Sequence, residues 1–189
     1  MYTLDKLQSI VTKCHRCPLS KTRTNVVFGE GNPKAKLVFV GEGPGFNEDK
    51  IGRPFVGKAG QLFDKMIEAI GLKREYIYIT NIVKCRPPNN RNPLEEESKI
   101  CIEFLRWQVK IIEPDIIVCL GAVAARNIID KNFKITKERG IWFNRGNFSI
   151  IATYHPAALL RDESKKREAW EDFKRIKKKY DEIDVKMER

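Results

Sequence analysis

Four short runs of β-branched and aliphatic residues constrain this chain more than any other feature. They are Lys36 to Val40 (KLVFV), Tyr76 to Thr80 (YIYIT), Asp115 to Leu120 (DIIVCL) and Ser149 to Thr153 (SIIAT). None alternates apolar with polar residues, so each reads as a strand covered on both faces. Helical patterns separate them: Leu62, Phe63, Met66, Ile67 and Ile70 recur at helical spacing across Ala59 to Ile70. A second helix has Asn92 as its cap, Pro93 at its first position and Glu95 three residues after the cap. Its apolar face is Leu94, Cys101, Phe104, Leu105 and Ile112, and Pro114 closes it. Further helices cover Ala122 to Asp130 and Lys165 to Tyr180, the last a basic amphipathic helix with Trp170 and Phe173 turned inward. Strands alternating with helices predict an α/β fold with a parallel sheet. A length of 189 residues without repeats predicts one domain, 1–189, ending in the basic helix and a short tail.

Open parallel sheets bind ligands outside the carboxyl ends of their strands. GEGPG (41–45), NIVKC (81–85), GA (121–122) and YHPAALL (154–160) lie there, and three of these four carry evident chemistry. The glycines of GEGPG let backbone approach a ligand closely. Phe46 stands where a dinucleotide fingerprint needs its third glycine, so that class is excluded. GRPFVGKA (52–59) has Ala59 where a P-loop needs Ser or Thr, and no strand directly precedes it, which excludes nucleoside triphosphates. Phe55 is either a core residue or a ring on which a base stacks. His155 is one of two histidines. A neutral imidazole there can donate to charge developing on a substrate oxygen.

No apolar run approaches a membrane span, and the N-terminus lacks the layout of a signal peptide, so a cytoplasmic location away from membranes is expected. Clustered cysteines in that compartment point to metal or catalysis rather than disulfides. Cys14 and Cys17 form a C-x2-C pair, whereas Cys85 and Cys101 stand far apart. Zinc and a [4Fe–4S] cluster both fit this spacing. Cys119, inside DIIVCL, reads as a buried small apolar residue. The net charge of +11 predicts an acidic partner, nucleic acid first.

GEGPG, GRPFVGKAG, TNIVKCRPP and HPAALLR, in this order and with these four cysteines, resemble the family-four uracil-DNA glycosylases, the thermostable iron–sulfur branch of their superfamily. The resemblance runs from Cys14 to Arg161. It implies a three-layer α/β/α sandwich around a four-stranded parallel sheet, with a [4Fe–4S] cluster on Cys14, Cys17, Cys85 and Cys101. It also implies a monomer that hydrolyses the N-glycosidic bond of uracil in single- or double-stranded DNA, initiating base excision repair without strand cleavage. By the same likeness Glu42 and Gly43 contact the base through backbone and Phe55 stacks on its face. Asn81 accepts from uracil N3–H and donates to O4, a pattern cytosine reverses. His155 donates to O2 of the departing uracil anion. Leu159 or Leu160 wedges into the gap left by the flipped base.

Gly43 stands where the family usually has alanine, a small-for-small change expected to leave the backbone contacts intact, and where better-known relatives carry a water-positioning aspartate. Glu48 is the nearest carboxylate after that motif, placed among the catalytic groups or beside uracil C5. Three other readings compete: a non-catalytic iron–sulfur or zinc nucleic-acid-binding module, an electron carrier on a flavodoxin-like sheet, against which the +11 charge counts, and a glycosylase for another deaminated base.

Overall fold

The computed structural model describes residues 3–187. Along the chain lie α1 (Leu4–Thr12), β1 (Glu30–Gly31), β2 (Leu37–Gly41), α2 (Phe46–Ile51), α3 (Lys58–Ala69), β3 (Tyr78–Asn81), α4 (Glu95–Ile112) and β4 (Ile116–Leu120). There follow α5 (Ala122–Ile128), α6 (Ile135–Glu138), β5 (Trp142–Arg145), β6 (Phe148–Thr153), α7 (Pro156–Arg161) and α8 (Lys166–Met187). The strand order is β1-β3-β2-β4-β6-β5. The four central strands run parallel, and β1 and β5 pair antiparallel at the edges.

The central strands are the four runs expected from the sequence. Val38, Val40, Ile117, Cys119, Ile150 and Ala152 pack under α1, α4 and α5. Leu37, Phe39, Ile116, Val118, Leu120 and Ile151 pack on the other face against α3 and α8. Neighbours along a strand point to opposite faces, so two covered faces demand an unbroken apolar run. Cys119 is fully buried, as a small apolar residue should be. The sheet has six strands rather than four. β1 is only two residues long, and β5 is half exposed at an edge, so neither carries that unbroken run.

Two helices depart from expectation. α4 begins at Glu95 with Leu94, not Asn92, at its cap. The buried Glu97 carboxylate accepts from Leu94 N–H at 2.8 Å and from both Arg91 terminal nitrogens at 2.8 Å. That carboxylate satisfies the helix start two residues later than the Asn-Pro signal suggests, and it leaves Leu94 exposed. In α8 the inward stripe is Ala169, Phe173 and Ile176, while Trp170 lies outside it at 37% exposure. α8 also runs on past Tyr180 to Met187.

Candidate active site

Loops leaving β2, β3 and β6 meet around a cavity of about 360 Å³, lined by Glu42, Gly43, Glu48, Phe55, Asn81 and His155 together with Arg161. Its size suits a small ligand. A larger cleft of about 630 Å³ lies between α4 and the β5–β6 turn, walled by Ile102, Leu105, Val109, Ile117 and Phe148. It gathers none of the groups from the carboxyl ends of β3 and β6, so the smaller cavity is the candidate site.

Asn81 ends β3 opposite Gly41. It is 2% exposed, and its Oδ1 is the one buried side-chain oxygen among the described residues without a hydrogen-bond partner. Leaving a buried acceptor unsatisfied costs about 1–3 kcal/mol, a cost that a ligand donor removes. Gly41 makes this arrangement possible: a Cβ there would lie 2.4 Å from Asn81 Oδ1 and 2.7 Å from Phe55 Cζ.

His155 follows β6 and caps α7, its Nδ1 accepting from Ala157 N–H at 3.1 Å. Burial, with the nearby Arg161 cation, lowers its pKa to about 4, against the pull of Glu48. The ring is therefore neutral at pH 7. With Nδ1 accepting, the proton resides on Nε2, which makes that nitrogen a donor. Its ring stacks on Phe55, centroids 5.5 Å apart and 29° between planes. Gly121 stands behind it, where a Cβ would come 3.0 Å from His155 Cβ.

Phe55 is buried and forms the cavity wall rather than a projecting ring. Its φ of 54° is left-handed, a conformation that costs about 1–3 kcal/mol unless the surroundings enforce it. They do so from three sides. Arg74 donates to the Pro54 carbonyl at 3.1 Å and to the Phe55 carbonyl, and is itself held by Asp64 at 2.7 Å. Gly60 lets α3 press on the turn, since a Cβ there would fall 1.9 Å from the Phe55 carbonyl oxygen. Glu48 Oε1 accepts from Val56 N–H at 2.8 Å and Gly57 N–H at 2.7 Å, pinning the following residues.

Burial pushes the Glu42 carboxyl up, with Arg161 acting against it. The Glu42 carbonyl accepts from Val83 N–H at 3.1 Å. At Gly43 a Cβ would lie 2.7 Å from Val83 Cγ2, a side-chain contact. This loop sits closer to the segment after β3 than alanine permits without moving Val83. Leu159 is 1% exposed and packed with Tyr154 and Ala169, so it is core and the wedge role falls away. Leu160 beside it is 46% exposed. Sequence reasoning gave no role to Arg74 or Arg161, and it read Gly41 as a close approach to a ligand rather than as room for Asn81 and Phe55. Only Gly41, a glycine ending an apolar strand, carried a local signal.

Cys14, Cys17, Cys85 and Cys101 line one small cavity between the end of α1, the loop after β3 and α4. None of the four is joined in a disulfide. Arg23 donates to Cys85 Sγ at 3.3 Å and to the Cys14 carbonyl at 2.7 Å. The backbone N–H of Lys84 donates to Cys101 Sγ at 3.3 Å. Burial pushes the Cys101 thiol up to about 11, opposed by Lys84. Among the described residues no three His, Cys, Asp or Glu side chains are gathered as a single ion requires. Four sulfurs around one cavity, two of them receiving hydrogen bonds, fit a thiolate-bound group broader than one ion.

Residues 28–174 match the family described as the uracil DNA glycosylase superfamily. The chain is 50% identical to a type-4 uracil-DNA glycosylase of Thermotoga maritima, over 94% of this chain and 96% of the relative. It is 48% identical to one of Sulfurisphaera tokodaii, over 94% of this chain and 84% of the relative. Identity to one of Archaeoglobus fulgidus is 46%, over 93% and 92%.

Proposed function

The chain belongs to the type-4 branch of the uracil DNA glycosylase superfamily, and from that premise we propose that it excises uracil from DNA as the first step of base excision repair. The single observation that carries this reading is the orphaned Asn81 Oδ1 lining the same cavity as the His155 ring. Uracil offers N3–H to that oxygen, and its O4 accepts from the Asn81 amide. Cytosine presents an acceptor where uracil has N3–H, so it leaves the buried amide unpaired, a large penalty in a site built to hydrogen-bond.

A base stacked in DNA does not reach a cavity of this kind, so the nucleotide must flip out of the stack. Phe55 then packs against the face of the ring, while Glu42 and Gly43 face it with backbone. Leu160 fills the gap left behind. His155 Nε2–H donates to uracil O2. As the bond between C1′ and N1 breaks, its electron pair moves onto the uracil ring, and that hydrogen bond stabilises the growing negative charge by about 3 kcal/mol. The sugar gains positive charge, which the DNA phosphates offset. Water adds to C1′ and releases a proton, giving free uracil and an abasic site. Glu48 shapes this machinery by holding the turn after Phe55 through Val56 and Gly57.

Cys14, Cys17, Cys85 and Cys101 would hold a [4Fe–4S] cluster, which when bound supplies a rigid cross-link and positive iron charge beside buried thiolates. Cys85 lies four residues after Asn81, so the staple steadies the segment that reads the base. The partner is uracil-containing DNA, and the +11 charge suits it. We take the enzyme to work as a monomer in the cytoplasm. No helix among the described residues is long and apolar enough to cross a membrane.

The test is incubation of the purified protein with single-stranded DNA carrying one uracil, hypoxanthine, thymine or cytosine, followed by alkali. Alkali-dependent breaks at uracil alone are expected. Breaks without alkali would refute the simple hydrolytic reaction. No release by folded protein would favour the non-catalytic binding module, and preferential release of hypoxanthine would favour a glycosylase for another deaminated base.

A further inference from the structure

Lys84 is 1% exposed, the most deeply buried cation among the described residues, and uracil excision as set out above gives it no task. It lies between the base-reading strand and the cysteines. Its Nζ donates to Thr80 Oγ1 at 2.6 Å, to the Asn81 carbonyl at 2.7 Å and to Gln108 Oε1 at 2.7 Å. An ammonium has three donors, so its capacity is filled. All three acceptors are uncharged, and burial lowers the pKa of the amine to about 7, with Cys101 and then Cys85 acting against that shift. A buried charge is tolerated only near an opposite one. Four thiolates holding an iron–sulfur group would leave that unit net negative and would supply the counter-charge. The same residue also touches the ligand set through its backbone, donating to Cys101 Sγ at 3.3 Å.

We propose that Lys84 is a positioning residue that couples the cysteine-bound group to base reading, its ammonium fixing the Asn81 carbonyl and thereby the angle at which the Asn81 side chain meets the base. This rests on the readings of Asn81 and of the four cysteines given above. Asn81 is where β3 ends, and the Ile82 N–H still donates to Gly41 O at 3.0 Å beyond it. The Lys84 bond therefore holds the next free edge of that peptide. Without it the peptide plane tilts, and a misplacement near 1 Å costs about 10²-fold in rate.

Lys84→Met keeps the length of the stem and removes the charge and all three donors. Iron content, the reduction midpoint of the cluster, and kcat and KM on uracil-containing single-stranded DNA are measured well below the unfolding temperature. The expected result is iron retained, a more negative midpoint because a nearby cation is lost, and kcat lower by about 10- to 100-fold with KM within about threefold. Retained iron with wild-type kcat overturns the proposal. A fall in kcat with the midpoint unmoved also overturns it, reducing Lys84 to a packing residue. Should Lys84→Met lose iron or fail to fold, Thr80→Val decides, read together with its urea midpoint, since it removes one acceptor of Lys84 along with the Thr80 bonds to the Phe28 carbonyl and Gln108. A several-fold lower kcat at full iron content supports the proposal, and wild-type kcat overturns it. Wild-type protein inactive on uracil would strike the functional reading instead, and the same experiment shows it.

Discussion

Replacing Gly41 with alanine adds one methyl group where Asn81 and Phe55 close on each other. Gly41 is an ordinary strand residue whose backbone any L-amino acid accepts, so the whole effect comes from side-chain contact. The new Cβ would lie 2.4 Å from Asn81 Oδ1, 2.7 Å from Phe55 Cζ and 2.9 Å from Phe55 Cε2. Unstrained contacts to carbon begin near about 3.5 Å, so Oδ1 must retreat by about 1 Å. Phe55 has little room to yield: His155 stacks on its ring, Phe63 packs against it with 44° between planes, and Arg74 holds its carbonyl. Asn81 therefore takes up most of the shift. A displacement of that size costs about 10²-fold in kcat, or about 2.7 kcal/mol of transition-state stabilisation. Overpacking separately lowers stability by about 1–3 kcal/mol. Single-turnover excision from a uracil oligonucleotide reads the first quantity, and urea unfolding reads the second. Stability lowered with excision within about threefold of wild type would refute the assembly of the site described here.

His155→Leu should lower kcat by about 10²- to 10³-fold at pH 7, read by the same excision assay, through loss of the Nε2–H donor. The folded-state pKa of about 4 lies below the unfolded value of about 6.5, so the unfolded chain takes the proton first and wild-type stability falls as pH drops from 6.5 to 4. Discounted for partial exposure of the ring, that loss is about 2 kcal/mol, and urea midpoints at pH 7 and 4.5 should show the leucine variant losing less. Glu48→Gln weakens the bonds from Val56 and Gly57 and should cost about tenfold in kcat, whereas a loss beyond about 10³-fold would place Glu48 at the attacking water instead. Chelation of the metal, or Cys101→Ser, should remove the visible absorption, lower the melting temperature and abolish excision. Clusterless protein with native fold and full activity would contradict the staple.

The central strands were legible because double burial forces an unbroken apolar run, and KLVFV or DIIVCL fits no other environment in a chain of this size. β5, with Asn144 and Arg145 facing water, carries only the weak pattern of an edge strand. The Asn92-Pro93 start of α4 was misread because the Glu97 carboxylate, three residues beyond Leu94, satisfies the cap and is itself oriented by Arg91. Asn81 and His155 were legible as residue types at strand ends, and the cysteines by their spacing in the chain. The orphaned Asn81 oxygen, the Nδ1 bond that fixes the His155 tautomer and the left-handed Phe55 were not, since each depends on neighbours distant in sequence. Leu159 and Leu160 are adjacent and chemically identical, and only the path of α7 sends one into the core and leaves the other at the surface.

The base preference of Asn81→Asp tests uracil reading most directly. An aspartate presents acceptors to the cytosine N4 amino group and, when protonated, a donor to cytosine N3. Wild type and variant are assayed side by side on oligonucleotides carrying one uracil or one cytosine opposite guanine. Base reading through Asn81 predicts uracil release reduced and cytosine release newly detectable in the variant. Uracil release unchanged, or both activities lost with no gain on cytosine, would contradict it.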